Sequence, residues 1–176
     1  PTEEVFTTPD PERVNGFVTA TKPLFTSGTT VTGLRVRFQN GRAVAVEADH
    51  GAELIRGLAE NDPGATRLGE LALVDRESRI GPLNTVFYDT LIDENAASHI
   101  AFGQGYELGV AEPEDLLRVN QSSIHVDFMI GGDADGVALA GDVVHAHHVD
   151  AGVDGERDRR RRAKLARVDA APGELA

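Results

Sequence analysis

Residues 34–47 read LRVRFQNGRAVAVE and carry the clearest secondary-structure signal in the sequence. Residues 34–38 and 43–47 alternate apolar and polar side chains, which is the period of a strand with one buried face. Asn40 and Gly41 lie between them, and Asn-Gly is the dipeptide most typical of a tight hairpin turn. The sequence therefore predicts a β-hairpin here.

Strand and helix signals are mixed on both sides of this hairpin. Further strands are predicted at residues 5–8, 16–24, 69–74 and 123–130, with a weaker strand signal at 86–91. Helices are predicted at residues 51–60, 94–103 (ENAASHIAFG) and 112–119. These elements form no regular strand–helix–strand repeat, so we expect an α+β domain with a mixed sheet and a few helices.

The composition narrows the classes of function. The chain of 176 residues has no cysteine, so a metal would have to be held by oxygen and imidazole ligands. Its net charge is −12, which argues against nucleic acid and anionic membranes as partners. No apolar run approaches the roughly 20 residues of a membrane helix. No secretory leader is visible, and we expect a cytoplasmic protein.

The character of the sequence changes near residue 145. Residues 145–176 contain three histidines and an arginine run, Arg159 to Arg162, with few large apolar side chains. This composition predicts a solvated, disordered tail. A nucleic-acid patch fits poorly with the acidity of the whole chain, and a frame error in GC-rich DNA would produce a similar tract.

Histidine and carboxylate residues recur in the predicted strands. His125 and Asp127 occupy positions i and i+2, which point to the same face of a strand and can reach one ion together. Many strands carry such a pair without a metal. Glu70 lies in the apolar run LGELALV, where a buried carboxylate needs a cation, although an exposed edge strand is the alternative.

Other candidate residues have structural interpretations of equal or greater weight. His99 fits a half-buried face of the predicted helix, and Tyr106, just past the end of that helix, fits a packing aromatic. Asp93 and Glu94, with the following asparagine, favour a helix N-terminus over a direct catalytic role. Residues 131–136, GGDADG, resemble a calcium loop but lack its distal glutamate, so we interpret them as a turn.

Five blocks of the sequence together resemble one family. They are PTEEVFTTPD (1–10), ATKPL (20–24), LGELALV (68–74), FYDTLIDENAASHIAFGQGY (87–106) and HVDFMIG (125–131). In this order they are similar to the signature blocks of the thermophilic aminopeptidases, the AmpS, AmpT and PepS type metallopeptidases. The resemblance extends to about residue 137, and the blocks DENAASHIAFG and HVDFMIG are its most specific parts.

The resemblance implies a set of site residues. The expected metal ligands are Glu4, Glu70, His99, Tyr106, His125 and Asp127. It implies two divalent ions, zinc or cobalt, with manganese or magnesium possible. Among the ligands, Glu4, Glu70 and Tyr106 would also act in catalysis: Glu70 bridges the ions, Glu3 or Glu4 serves as general base, and Tyr106 stabilises an oxyanion. Glu3, Asp93 and Glu94 are expected to orient the ligands.

The implied function is a metal-dependent aminopeptidase that acts on peptides with a free N-terminus and forms homodimers. Residues 1–144 would be the metal-binding catalytic domain of a two-domain enzyme whose N-terminal domain is absent, followed by a divergent tail. Arg79 stands where the family usually has proline. The alternatives are an inactive relic and another dinuclear metallohydrolase acting on amides or phosphoesters.

Overall fold

The computed structural model describes residues 3–75 and 77–131. The strands are β1 (Glu4–Thr7), β2 (Gly16–Thr19), β3 (Leu24–Thr26), β4 (Thr29–Val31), β5 (Arg35–Gln39), β6 (Arg42–Glu47), β7 (Leu68–Val74), β8 (His99–Gly103) and β9 (His125–Met129). The helices are α1 (Ala52–Ala59) and α2 (Thr90–Asp93), with 3-10 turns at Gly81–Leu83, Glu94–Ala96, Glu107–Gly109 and Pro113–Arg118. The predicted α+β class is confirmed.

The strands form three antiparallel sheets. The largest has the order β1-β7-β8-β9, and all of its neighbours are antiparallel. A three-stranded sheet has the order β2-β5-β6, and β3 pairs with β4. The predicted hairpin is confirmed as β5 and β6, with positive φ at both Asn40 (49°) and Gly41 (77°).

One hydrophobic core joins the largest sheet to the three-stranded sheet. Phe102 of β8 packs between Phe38 of β5 and Phe128 of β9, with ring centroids 5.8 and 5.2 Å apart. Ile55 of α1 is buried in the same cluster as Ile100. One face of the largest sheet is therefore mostly apolar, and the polar side chains of the sheet collect on the other face.

The helix predicted at residues 94–103 is wrong. Only Glu94–Ala96 forms a 3-10 turn, and His99–Gly103 is the buried strand β8 between β7 and β9. A short run buried on both faces has no alternation, so periodicity cannot distinguish it from a helix.

Three other predicted elements differ from the structure. The strand predicted at 86–91 is wrong, because Asp89 caps α2 by accepting a hydrogen bond from the Leu91 N–H. The strand predicted at 16–24 ends at Thr19, where the chain turns before β3. The helix predicted at 112–119 is the 3-10 helix Pro113–Arg118.

Two earlier predictions lie outside the described residues. These are the tail at 145–176 and the turn at 131–136 beyond its first glycine. Within residues 3–75 and 77–131, no helix has the length and apolar character needed to cross a bilayer.

Candidate metal centre

The polar face of the largest sheet collects side chains from all four of its strands. Glu70 of β7 lies opposite Ala101 of β8, which lies opposite Asp127 of β9. Residues directly opposite or two apart in an antiparallel sheet share a face. By the same register, this face also carries Glu4, His99 and His125.

Two alanines make room among these long polar side chains. Ala101 separates Glu70 from Asp127, and Ala72 lies opposite His99; both alanines are fully buried. Larger side chains at these positions would occupy the space in which the carboxylates and imidazoles converge. The small side chains at these two positions thus let the acidic and imidazole side chains converge on one face of the sheet.

His99 is completely buried and has a fixed orientation. Its Nδ1 lies 3.1 Å from the Ala97 carbonyl oxygen, which favours the tautomer with the proton on Nδ1. Its Nε2 lies 3.1 Å from Glu4 Oε2 and 3.5 Å from Glu70 Oε1. That nitrogen makes no well-aligned hydrogen bond to any described residue. The arrangement is typical of a histidine whose Nε2 is directed at a metal.

His125 repeats this arrangement on the neighbouring strand. Its Nδ1 lies 2.8 Å from the Gln104 carbonyl oxygen. Its Nε2 lies 3.3 Å from Glu70 Oε2 and 3.2 Å from Asp127 Oδ1. Both imidazoles thus use a backbone carbonyl to fix Nδ1 and present Nε2 to carboxylates.

Glu70 lies between the two histidines, with one carboxylate oxygen directed at each. Its Oε1 faces His99 and its Oε2 faces His125. Two groups of residues that could hold a metal ion share Glu70: Glu4, Glu70 and His99 form one, and Glu70, His125 and Asp127 form the other. In each group the ligand atoms lie within 4.8 Å of one another.

A third group brings in Glu94, which sequence reasoning placed only in a supporting position. Its carboxylate lies within 4.8 Å of ligand atoms of His99 and Asp127. Glu94 comes from the 3-10 turn after α2 and not from the sheet. No strand spacing could reveal it, although its position beside Asp93 and Asn95 already marked an unusually polar turn.

The pKa values of two carboxylates depend on the neighbours of each. Burial opposes ionisation of Glu70, but the adjacent imidazoles of His125 and His99 outweigh it and hold its pKa at about 2. Burial and the nearby Asp127 and Glu4 carboxylates raise the pKa of Glu94 to about 7.

The same carboxylates also raise the pKa values of the two imidazoles. Burial lowers an imidazole pKa, but Glu4 and Glu70 outweigh it and raise the pKa of His99 to about 10. Asp127 and Glu70 outweigh burial at His125 and raise its pKa to about 10 as well. The centre thus attracts positive charge, whether protons or metal ions.

Tyr106 lies at the rim of this centre. Its ring contacts His125, with centroids 4.9 Å apart, and Phe6, with centroids 5.9 Å apart. Burial and the carboxylates of Glu70 and Asp127 raise the pKa of its phenol, which keeps it protonated and able to donate a hydrogen bond. The ring remains 41% exposed.

Glu3 and Asp93 lie outside the cluster of possible metal ligands, which consists of Glu4, Glu70, Glu94, His99, His125 and Asp127. The Glu3 carboxylate accepts a hydrogen bond from the Arg79 N–H, which a proline at that position could not supply, and pairs with the Arg79 guanidinium. Asp93 accepts hydrogen bonds from the N–H groups of Phe87 and Asp89. Both residues therefore fix loops around the centre.

The side chains of the cluster fit divalent metal ions. They offer imidazole nitrogens and carboxylate oxygens, the ligands of zinc and cobalt in proteins without cysteine. With neutral imidazoles, the carboxylates of Glu4, Glu70, Glu94 and Asp127 supply negative charge that divalent cations would neutralise. Burying such a group of carboxylates is costly without cations.

Comparison with known proteins places the chain in a family. Residues 1–144 match the family model described as thermophilic metalloprotease (M29). The chain is 50% identical over 145 residues to Aminopeptidase T of Thermus thermophilus, covering 78% of this chain and 36% of that protein. It is 43% identical over 151 residues to Aminopeptidase 2 of Geobacillus stearothermophilus, covering 80% and 37%.

A solved structure, wild-type AmpT from Thermus thermophilus, is similar with a TM-score of 0.71 and 52% identity. The match covers 74% of this chain and 34% of that one. The chain thus spans about a third of the length of the curated relatives it matches. Over the part that it does span, the chain belongs to the thermophilic metalloprotease (M29) family.

Proposed function

We propose that this chain provides the metal-binding catalytic unit, residues 1–144, of an aminopeptidase with two divalent ions. The observation that carries the proposal is the position of Glu70, whose two oxygens face two separate histidine-containing groups. The named activity of the relatives supports a peptidase, and their similarity covers the strands that build this cluster.

The expected ions are zinc or cobalt, with manganese or magnesium as alternatives. Glu4, Glu70 and His99 would hold one ion, and Glu70, His125 and Asp127 the other. Tyr106, whose ring lies beside His125, is the sixth ligand in this proposal. When bound, such ions supply Lewis-acid polarisation of a carbonyl and a water of lowered pKa.

The chain's own residues then have separate roles in peptide hydrolysis. Glu70 holds the two halves of the centre at a fixed separation. Glu4, whose carboxylate oxygen lies 3.1 Å from His99 Nε2, is the general base in this proposal. The carboxylate of the neighbouring Glu3 instead forms an ion pair with Arg79. The phenol of Tyr106, beside His125, donates a hydrogen bond to the oxygen that becomes negative as the tetrahedral centre forms.

The substrates in this proposal are peptides with a free N-terminus. Carboxylates such as Glu94 and Asp127 can attract the α-ammonium group of such a peptide. We also propose a cytoplasmic location and a homodimer, as expected from the family resemblance.

The test is hydrolysis by the purified 176-residue chain of a leucyl reporter and of a phosphoester reporter, each before and after addition of zinc or cobalt. The proposal predicts release of the leucyl reporter only with metal and no phosphoester cleavage. Preference for the phosphoester would favour a different dinuclear hydrolase. Stoichiometric metal binding without either activity would identify an inactive relic.

A further inference from the structure

The hydroxyl of Thr8 makes two hydrogen bonds to the backbone of Tyr106, 98 residues away in the chain. It donates to the Tyr106 carbonyl oxygen at 2.6 Å and accepts from the Tyr106 N–H at 3.2 Å. Thr8 directly follows β1 and is only 4% exposed. A buried side chain that satisfies both polar groups of one residue fixes the position of that residue.

Glycines on both sides of Tyr106 let the chain close over Thr8. A Cβ at Gly109 would lie 2.7 Å from the Thr8 nitrogen and 2.8 Å from its Oγ1. A Cβ at Gly105 would lie 3.1 Å from Thr8 Cγ2 and 2.9 Å from Val119 Cγ1. The segment therefore approaches Thr8 more closely than residues with side chains would allow.

The Tyr106 ring itself has few contacts that hold it. It is 41% exposed and packs by its edge against Phe6 and at an angle against His125. Its position beside the metal centre therefore depends on its backbone. The Tyr106 carbonyl oxygen accepts a local hydrogen bond from the Gly109 N–H at 3.1 Å, and Thr8 ties both backbone groups of Tyr106 to the end of β1.

We propose that Thr8 is a positioning residue of the metal centre, whose hydroxyl fixes the Tyr106 backbone so that the phenol lies beside His125. The catalytic part of this inference rests on the proposed function. The positional part does not, because the place of the phenol can be measured without turnover.

The aromatic composition of the chain allows the position and mobility of Tyr106 to be measured by fluorescence. The chain has two tyrosines and no tryptophan, so Tyr88→Phe leaves Tyr106 as the single strong fluorophore. Tyr88 is exposed and contacts Phe25 through its ring, which phenylalanine preserves. In this background, fluorescence anisotropy reports the mobility of Tyr106, and quenching by cobalt reports its distance from the bound ion.

The chain also offers matched variants. Thr8→Val replaces the hydroxyl by a methyl group of similar shape, Thr8→Ser keeps the hydroxyl, and Thr8→Ala removes it with less bulk if valine prevents folding. Thr7→Val is the control at the neighbouring position, because the buried hydroxyl of Thr7 makes no hydrogen bond to any described residue.

We expect Thr8→Val to lower the anisotropy of Tyr106 and to weaken quenching by cobalt, while Thr8→Ser and Thr7→Val behave as the parent. In the active enzyme, kcat should fall roughly ten- to a hundredfold with a smaller change in KM. Parental anisotropy and quenching in both Thr8→Val and Thr8→Ala would overturn the proposal. If the parent binds cobalt but hydrolyses nothing, the proposed function fails, and the fluorescence comparison still decides the role of Thr8.

Discussion

At the scale of single residues, Glu70 connects the two histidines of the proposed centre. It contacts both histidines, each through a different oxygen. Glu70→Gln keeps the shape and removes the charge, so one oxygen is replaced by an amide nitrogen that repels a cation.

We expect Glu70→Gln to lose at least one of the two ions and more than roughly a hundredfold of activity. Metal content by atomic emission and leucyl-reporter hydrolysis measure the two effects. Glu53→Gln, on the first turn of α1, is the matched control and should behave as the parent chain. Two ions and parental activity in Glu70→Gln would remove the bridging role.

The residues of the centre differ in how far the sequence alone could place them. His125 and Asp127 share a face because they are two apart on a predicted strand. The apolar neighbours of Glu70 favour its burial but also fit an exposed edge strand. The sequence predicts a helix at His99, since its neighbours Ile100 and Ala101 suit either structure. Glu94 reaches the centre through a turn that local pattern cannot position.

At the scale of elements, Asp62 ties the loop after α1 to the start of β9. Its carboxylate accepts hydrogen bonds from the Ser123 N–H at 2.8 Å, the Ser123 hydroxyl at 2.7 Å and the Ser122 hydroxyl at 3.0 Å. The hydrogen bonds of Ser123, first its N–H and then its hydroxyl, lower the pKa of Asp62 to about 2. This loop therefore supports the strand that carries His125.

The lowered pKa of Asp62 predicts a contribution to acid stability. The folded-state pKa lies below the usual value of 3.8, so the stabilisation is present above that value and is lost as the pH falls through about 2. Asp62→Asn should lower the melting temperature at neutral pH and reduce the pH dependence of stability between these values. Thermal unfolding followed by circular dichroism measures both. An unchanged pH dependence would contradict the assignment.

Some elements can be predicted from the local sequence, whereas others depend on tertiary packing. The β5–β6 hairpin follows from local alternation and its Asn-Gly turn. The strand β8 is buried on both faces, and only its pairing with β7 and β9 distinguishes it from a helix. The centre lies across that pairing, so its geometry could not be derived from local patterns.

At the scale of the whole molecule, metal binding and folding stability should be coupled. Five of the six residues in the cluster come from the four strands of one sheet, and these strands are distant in the sequence. Ions that bind this assembled face, and not the unfolded chain, stabilise the fold by about 2.7 kcal/mol per site at a free concentration a hundredfold above Kd.

Removal of metal by a chelator should therefore lower the melting temperature, and addition of zinc or cobalt should restore it. Differential scanning calorimetry with the parent and with Glu70→Gln tests this coupling. The variant should show a much smaller response to metal. An equal response in both chains would place the stabilising ions somewhere other than at this centre.

The proposed function requires two ions on one face of the largest sheet, on either side of Glu70. Anomalous difference maps from crystals of the chain grown with zinc would locate them. We expect two peaks, one within bonding distance of Glu4, Glu70 and His99, and the other of Glu70, His125 and Asp127. A single peak, or peaks that Glu70 does not contact, would rule out the two-ion centre.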